Sequence, residues 1–264
     1  LSFSLFMFSA SADVIAPAAA GGAAGFVVDW ENKGKTARQT GFDTQINYDT
    51  EDDLRRVVSQ TNLPVLCRVN HTGDVEQTLR EVDAAIELGA SEVFLPLVRN
   101  AAEVERVLAH VNGRVPLGIL IETVEAVRHA RDLGQLPLSR VYVGLNDLAI
   151  SRGTPNIFEA VADGTLDRVR EHIRVPFGFA GATLPERGFP IPARLLLNEF
   201  ARLECSYTFL RRSFLTDSAE MGIPEALRRI QRAIADAYAT PRAYRERLRQ
   251  ELVQTIEAES GVRP

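Results

Sequence analysis

Several residues able to do chemistry stand where short apolar runs end. Asp29 and Glu31 follow Phe26–Val28, and Arg68, Asn70 and His71 lie within or just after Val65–Val69. Glu122 follows Gly118–Ile121, Asp147 follows Val141–Val143, and Arg211 and Arg212 follow the last run. Two carboxylates facing one cavity repel unless a proton or cation lies between them. Glu122 and Asp147 lie one strand–helix unit apart and are therefore candidate ligands for a hard divalent ion, Mg²⁺ or Mn²⁺, completed by water and a substrate oxygen. Arg68 has the planar, permanently charged fork that binds a carboxylate in bidentate fashion. A cation, an arginine and acids at one opening suit a reaction that develops an enolate, with a general acid or base moving the proton.

Plainer roles are open for the same residues. Asp147 could cap a helix starting near Leu148, and Glu122 could serve as a cap or an ion-pair partner. Arg68 could form a structural pair with Glu31 or another acid, and His71 could be an exposed loop residue.

The elements that must position these groups are legible in the spacing. Eight runs read as strands: Ser4–Phe8, Phe26–Asp29, Val65–Val69, Val93–Pro96, Gly118–Ile121, Val141–Val143, Phe177–Phe179 and Thr208–Leu210. Their apolar character is continuous, the pattern of strands covered on both faces. Amphipathic stretches such as Val75–Leu88 and Ala101–Val111 separate them, which gives βαβ units and a parallel sheet. The expected fold is an α/β TIM (β/α)8 barrel, whose usual length of about 250 residues matches the chain. A doubly wound sheet is the alternative, weakened because no GxGxxG follows the first run. In a TIM barrel the chemistry gathers at the C-terminal ends of the strands, where all these polar residues fall.

The 264 residues are read as one barrel domain with a C-terminal helical extension from Pro224 to Pro264, broken near Thr240-Pro241. The stretch Gly153–Gly188, rich in Gly and Pro, is expected to carry long loops. A net charge of −5 gives no general attraction to nucleic acid. Cys67 and Cys205 lie far apart without a CxxC partner, which fits a reducing cytoplasm. The opening LSFSLFMFSASA lacks a basic leading segment, its apolar run is broken by serines, and it is read as the first strand. No stretch is long enough to span a bilayer.

Four segments in order and register, PVLCRVN, GASEVFLPLVRNAAEV, LGILIETVEAV and VYVGLNDLAISRG, resemble the HpcH/HpaI aldolase and citrate lyase β-subunit group of the phosphoenolpyruvate/pyruvate TIM-barrel superfamily. The resemblance covers about Phe26 to Gly153. It implies a divalent metal on Glu122 and Asp147, and Arg68 on the carboxylate and enolate oxygen of a pyruvate-like substrate. Backbone amides around Pro96, Leu97 and Val98 would help to hold that carboxylate. The resemblance also implies a homo-oligomer, a trimer or hexamer, with the C-terminal helix a candidate for exchange between subunits.

The family divides at the second strand. The pyruvate aldolases read like D-G-E-H, with the histidine in proton transfer; this chain reads Asp29-Trp30-Glu31-Asn32. The CoA-ester lyases read like D-L-E-D followed by Lys and Ala-Arg; here Lys35, Ala37 and Arg38 follow at shorter spacing. An amide does not titrate, so Asn32 cannot be a base. Lys33, Lys35, His71 or a water on the metal are the substitutes, and His71 has the best intrinsic pKa. Lys33 is also a candidate for binding a second anionic group. Glu87 matches an acidic position that assists the usual histidine. The expected function is a metal-dependent, aldolase-type lyase or synthase acting on a small 2-oxo acid, with an aldehyde as partner. A CoA-ester lyase and a barrel that only binds a ligand are the alternatives.

Overall fold

A computed structural model describes residues 3–35, 47–71 and 73–261. The apolar runs become strands β1 (Ser4–Phe8), β2 (Gly25–Asp29), β3 (Val65–Arg68), β4 (Glu92–Leu95), β5 (Leu117–Ile121), β6 (Val141–Val143), β7 (Phe177–Phe179), β8 (Gly181–Ala182) and β9 (Tyr207–Leu210). All pair in parallel, in the order β7-β6-β5-β4-β3-β2-β1-β9-β8. The seventh run is a single strand broken at Ala180, whose φ of 52° is left-handed. Its first half pairs with β6 and its second half with β9, so the sheet curls into a nearly closed barrel. Ser206 N also donates to Phe177 O across the seam at 3.0 Å. A TIM-barrel-like fold is thus observed, and the doubly wound alternative falls away.

Alternation along each strand sorts the side chains. Phe6, Val27, Leu66, Phe94, Leu120, Tyr142, Tyr207 and Phe209 fill the barrel interior. Their neighbours, among them Met7, Val28, Cys67, Val93, Ile119 and Val143, pack outward into the core beneath the helices. Both sets are apolar, which is why the runs show no alternation in sequence. The end of the barrel below these rings is plugged by an ion pair. Arg140 Nε and Nη2 each lie 2.9 Å from Glu92, and its guanidinium stacks over Phe6 and Tyr207 at 4.7 and 5.0 Å.

The helices follow from their caps and faces. Thr50 and Asp53 form a reciprocal capping box for Glu51–Gln60, and Asp74 and Asn100 cap Val75–Glu87 and Ala101–Val111. Gly153–Gly188, expected to be loop-rich, also carries helices Glu159–Ala162 and Thr165–His172. The tail forms helices Ile223–Ala239 and Arg242–Gly261, broken where expected. The last of these packs on its own barrel. Leu248, Leu252 and Ile256 are buried, and Arg249 reaches Val161 O at 2.7 Å and Glu199 at 3.1 Å. No helix among the described residues is long and apolar enough to cross a membrane.

The seam is tight. A Cβ added at Gly178 would overlap Tyr207 O, a backbone atom that cannot swing aside. Gly178→Ala is expected to lower stability by about 1–3 kcal/mol. An unchanged urea midpoint would show that the seam has slack.

Candidate active site

The first cluster comes from β2 and β3. Asp29 and Arg68 are register partners on adjacent strands, both on the inner face. Arg68 Nε and Nη2 donate to Asp29 Oδ1 and Oδ2 at 2.8 and 2.7 Å, a two-point pair. Arg68 Nη1 lies 3.3 Å from Glu31 Oε2. Lys35 Nζ sits 3.1 Å from the same oxygen and 3.5 Å from Asp29 Oδ2, and is only 3% exposed. Asn47 donates to Asp29 Oδ2 at 3.0 Å, and Asp49 accepts from Asp29 N at 2.9 Å. Burial alone would raise the Asp29 carboxyl, but Arg68, Lys35 and Asn47 outweigh it and hold it below its ordinary value. Burial likewise works against the Arg68 cation, and Asp29 and Glu31 overcome it. The structural reading of Arg68 is therefore realised, with Asp29 as the main partner and Glu31 as the lesser one.

The second cluster comes from β5 and β6. Glu122 follows β5 directly and is 2% exposed; Asp147 is 7% exposed. Asp147 is not an N-cap, because the helix runs Leu145–Arg152 and is capped by Gly144. It lies in the first turn of that helix and acts on Glu122. Glu122 Oε1 accepts from Leu97 N at 2.8 Å. Leu97 has φ 52°, a left-handed conformation that turns this amide onto the carboxylate. Burial first, then Asp147 and Glu31, push Glu122 up to about 8, against Arg68 and the Leu97 amide. A Cβ at Gly144 would overlap the Glu122 carboxylate, so glycine is required for this approach.

A divalent ion suits this pair. Asp147 helps to raise the proton affinity of buried Glu122, and a cation between these two hard-oxygen donors would relieve that. Mg²⁺ is commonly held by one or two carboxylates with water and substrate completing its shell. Among the described residues no group of three or more His, Cys, Asp or Glu side chains forms a closed metal cage.

The remaining candidates are distributed unevenly. His71 is buried, contrary to the exposed-loop reading. Its partners are Thr78 Oγ1 and Glu103 Oε2, each at 3.5 Å, both on helices outside the barrel. Burial holds its imidazole below the ordinary histidine value. Asn32 and Lys33 line an outer cleft of about 520 Å³ with Trp30, Asp49, Arg80 and Glu81. Their amides both donate to Asn70 Oδ1, and Lys33 Nζ reaches Glu81 at 3.5 Å. Of the proposed proton carriers only Lys35 lies inside the cluster. Pro96 has no N–H, the Leu97 amide is used by Glu122, and Val98 O accepts from Thr123. Glu87 is exposed at the C-terminal end of its helix, which leads to the opposite end of the barrel from Glu122. Ala37 and Arg38 lie outside the described residues. The roles of Asp49, Asn47 and Asn70 as supports were not legible. All three lie in connections, and only Asn70, directly after CRV, carried any signal.

The chain matches no family model and no curated protein sequence. Among solved structures it is similar to the crystal structure of citrate synthase SbnG, with TM-score 0.60 and 16% identity over 83% of this chain and 91% of that one. It is also similar to RipC from Yersinia pestis, with TM-score 0.58 and 17% identity over 92% of this chain and 97% of that one. At such identities the likeness establishes the fold alone.

Glu122 makes stability depend on pH in the metal-free protein. The folded chain keeps a proton up to about pH 8 that the unfolded chain releases above 4.5. Stability must then fall as pH rises through this window, by at most about 1.4 kcal/mol per unit. Melting in EDTA at pH 5.5 and pH 8 should show a smaller loss for Glu122→Gln than for the parent. Equal losses would place the titration elsewhere.

Proposed function

We propose that the barrel mouth makes or breaks a carbon–carbon bond next to the enolate of a small 2-oxo acid. The observation that carries this reading is the buried Glu122–Asp147 pair at the ends of β5 and β6, with Glu122 raised in proton affinity, at the same mouth as the Arg68 cluster on β2 and β3. Glu122 and Asp147 would hold Mg²⁺ or Mn²⁺, which when bound supplies positive charge to stabilise a developing enolate. Arg68 supplies the second positive charge. Asp29 fixes its plane by taking Nε and Nη2, so its orientation needs no rearrangement when substrate enters. Lys35, against both Glu31 and Asp29, is the side chain placed to pass a proton through Glu31. The β2 and β3 ends thus orient and shuttle, while the β5 and β6 ends bind the ion.

One similar structure is named a citrate synthase, an activity that joins carbon to carbon, which agrees with this reaction class. The CoA-ester alternative loses one support, because Lys35 is engaged by two carboxylates and is not offered to a phosphate. Partners are a small 2-oxo acid and an aldehyde, within a homo-oligomer in the cytoplasm.

Hydrogen exchange is the direct test, since an enolate trades the methyl hydrogens of pyruvate for deuterium without any second reactant. The parent with Mn²⁺ should exchange them in D₂O, followed by NMR. Glu122→Gln and Asp147→Asn should each lose Mn²⁺ binding by calorimetry and the exchange with it, while still melting cooperatively. Mn²⁺ binding that survives both substitutions, or is absent from the parent, would leave a barrel that only binds a ligand.

Arg68→Lys keeps the charge but loses the fork. Turnover should fall about tenfold or more, the size of one or two charge-assisted hydrogen bonds. Parent-like kinetics would remove Arg68 from the substrate.

A further inference from the structure

Arg211 is the first residue after β9, on the same inward parity as Tyr207 and Phe209. Its backbone N–H donates to Ala182 O at 2.8 Å, which fixes it at the rim. The side chain then runs over Gly181, where an added Cβ would come within 2.7 Å of Arg211 Cγ. The guanidinium ends 5.6 Å over the ring of Phe158. Arg68 stacks 5.1 Å over Phe8, whose ring packs 5.0 Å from Phe209 two residues before Arg211, so both cations stand over one interior.

Among the described residues, other cations around the mouth are engaged. Arg68 is held by Asp29 and Glu31, Lys35 by the same two acids, Lys33 by Glu81 and Arg99 by Glu103. Arg211 has no carboxylate within ion-pair distance among the described residues. Asp217, the acid whose charge acts on Arg211, accepts from Thr183 and Ser213 through Oδ2. Burial disfavours the Arg211 cation, and Tyr142 and Asp217 offset only part of that cost. A part-buried arginine with no acid at ion-pair distance is suited to receive one from a ligand.

We infer that Arg211 binds the carboxylate of the second reactant, so that the enolate's partner is an oxo acid and not a neutral aldehyde. This rests on the enolate reading above and narrows it. In the condensing direction the enolate carbon forms a bond to the partner's carbonyl carbon. The π pair moves onto the carbonyl oxygen, and that oxygen takes a proton; cleavage is the reverse. Arg211 does not enter the bond changes. It holds the far carboxylate while Arg68 and the Glu122–Asp147 side hold the enolate.

The experiment condenses pyruvate and Mg²⁺ with glyoxylate, which carries a carboxylate, or acetaldehyde, which does not. The ratio of the two kcat/KM values is the readout. In Arg211→Gln that ratio should fall about tenfold or more, through the KM for glyoxylate, and Arg211→Lys should recover part of it. If Arg211→Gln does not melt cooperatively, Arg211→Lys carries the comparison, with a fall of threefold or more expected. A ratio within twofold of the parent's in a folded variant overturns the assignment. A parent that exchanges pyruvate's methyl hydrogens yet fails with glyoxylate overturns Arg211 alone. A parent that does not exchange them overturns the enolate reading and this inference together.

Discussion

The mouth of this barrel is organised by a charge problem that the Asp29–Arg68 pair solves. Both residues face inward on neighbouring strands, where water is largely excluded, and neither charge is tolerable there alone. Pairing at two points fixes both planes. Asp29 then accepts from Asn47 and from the Glu31 amide, and Arg68 reaches on to Glu31, beside which Lys35 is enclosed. Two acids and two bases cancel. Removing one member leaves an uncompensated buried charge, which typically costs about 3–5 kcal/mol. Beside this quartet, Glu122 keeps a raised proton affinity and Arg211 has no carboxylate within ion-pair distance among the described residues.

The fold was legible because parallel strands covered on both faces must be apolar throughout, and because the sequence turns polar where each strand opens to the mouth. Ser4–Phe8, Val141–Val143 and Phe177–Phe179 have the expected bounds, and the other strands shift by a residue or so at one or both ends. What periodicity could not show was the break at Ala180. Nothing in FGFAGA marks a left-handed residue at alanine, and only closure of the ring demands one.

The candidate site was legible as a set of strand ends and illegible as a set of pairs. Which acid meets Arg68 depends on register between β2 and β3, a property of two segments that neither contains. Asp29, not Glu31, is the residue opposite. Lys35 was one of several substitute proton carriers by its chemistry alone, and only the two acids that draw its side chain inward single it out. His71 looked like a base because of its chemistry. The helix that begins after Asp74 instead brings Thr78 back over it and encloses it outside the barrel.

The plug formed by Glu92 and Arg140, with the aromatic rings stacked above it, makes the barrel a vessel with one door. Anything that enters or leaves the interior shares that door, so traffic through it is sequential and not parallel. A ligand seated between Arg68 and the Glu122–Asp147 pair would itself become the stopper, shutting solvent away from the groups beneath. Whatever closes the opening therefore also sets the dielectric in which those charges act.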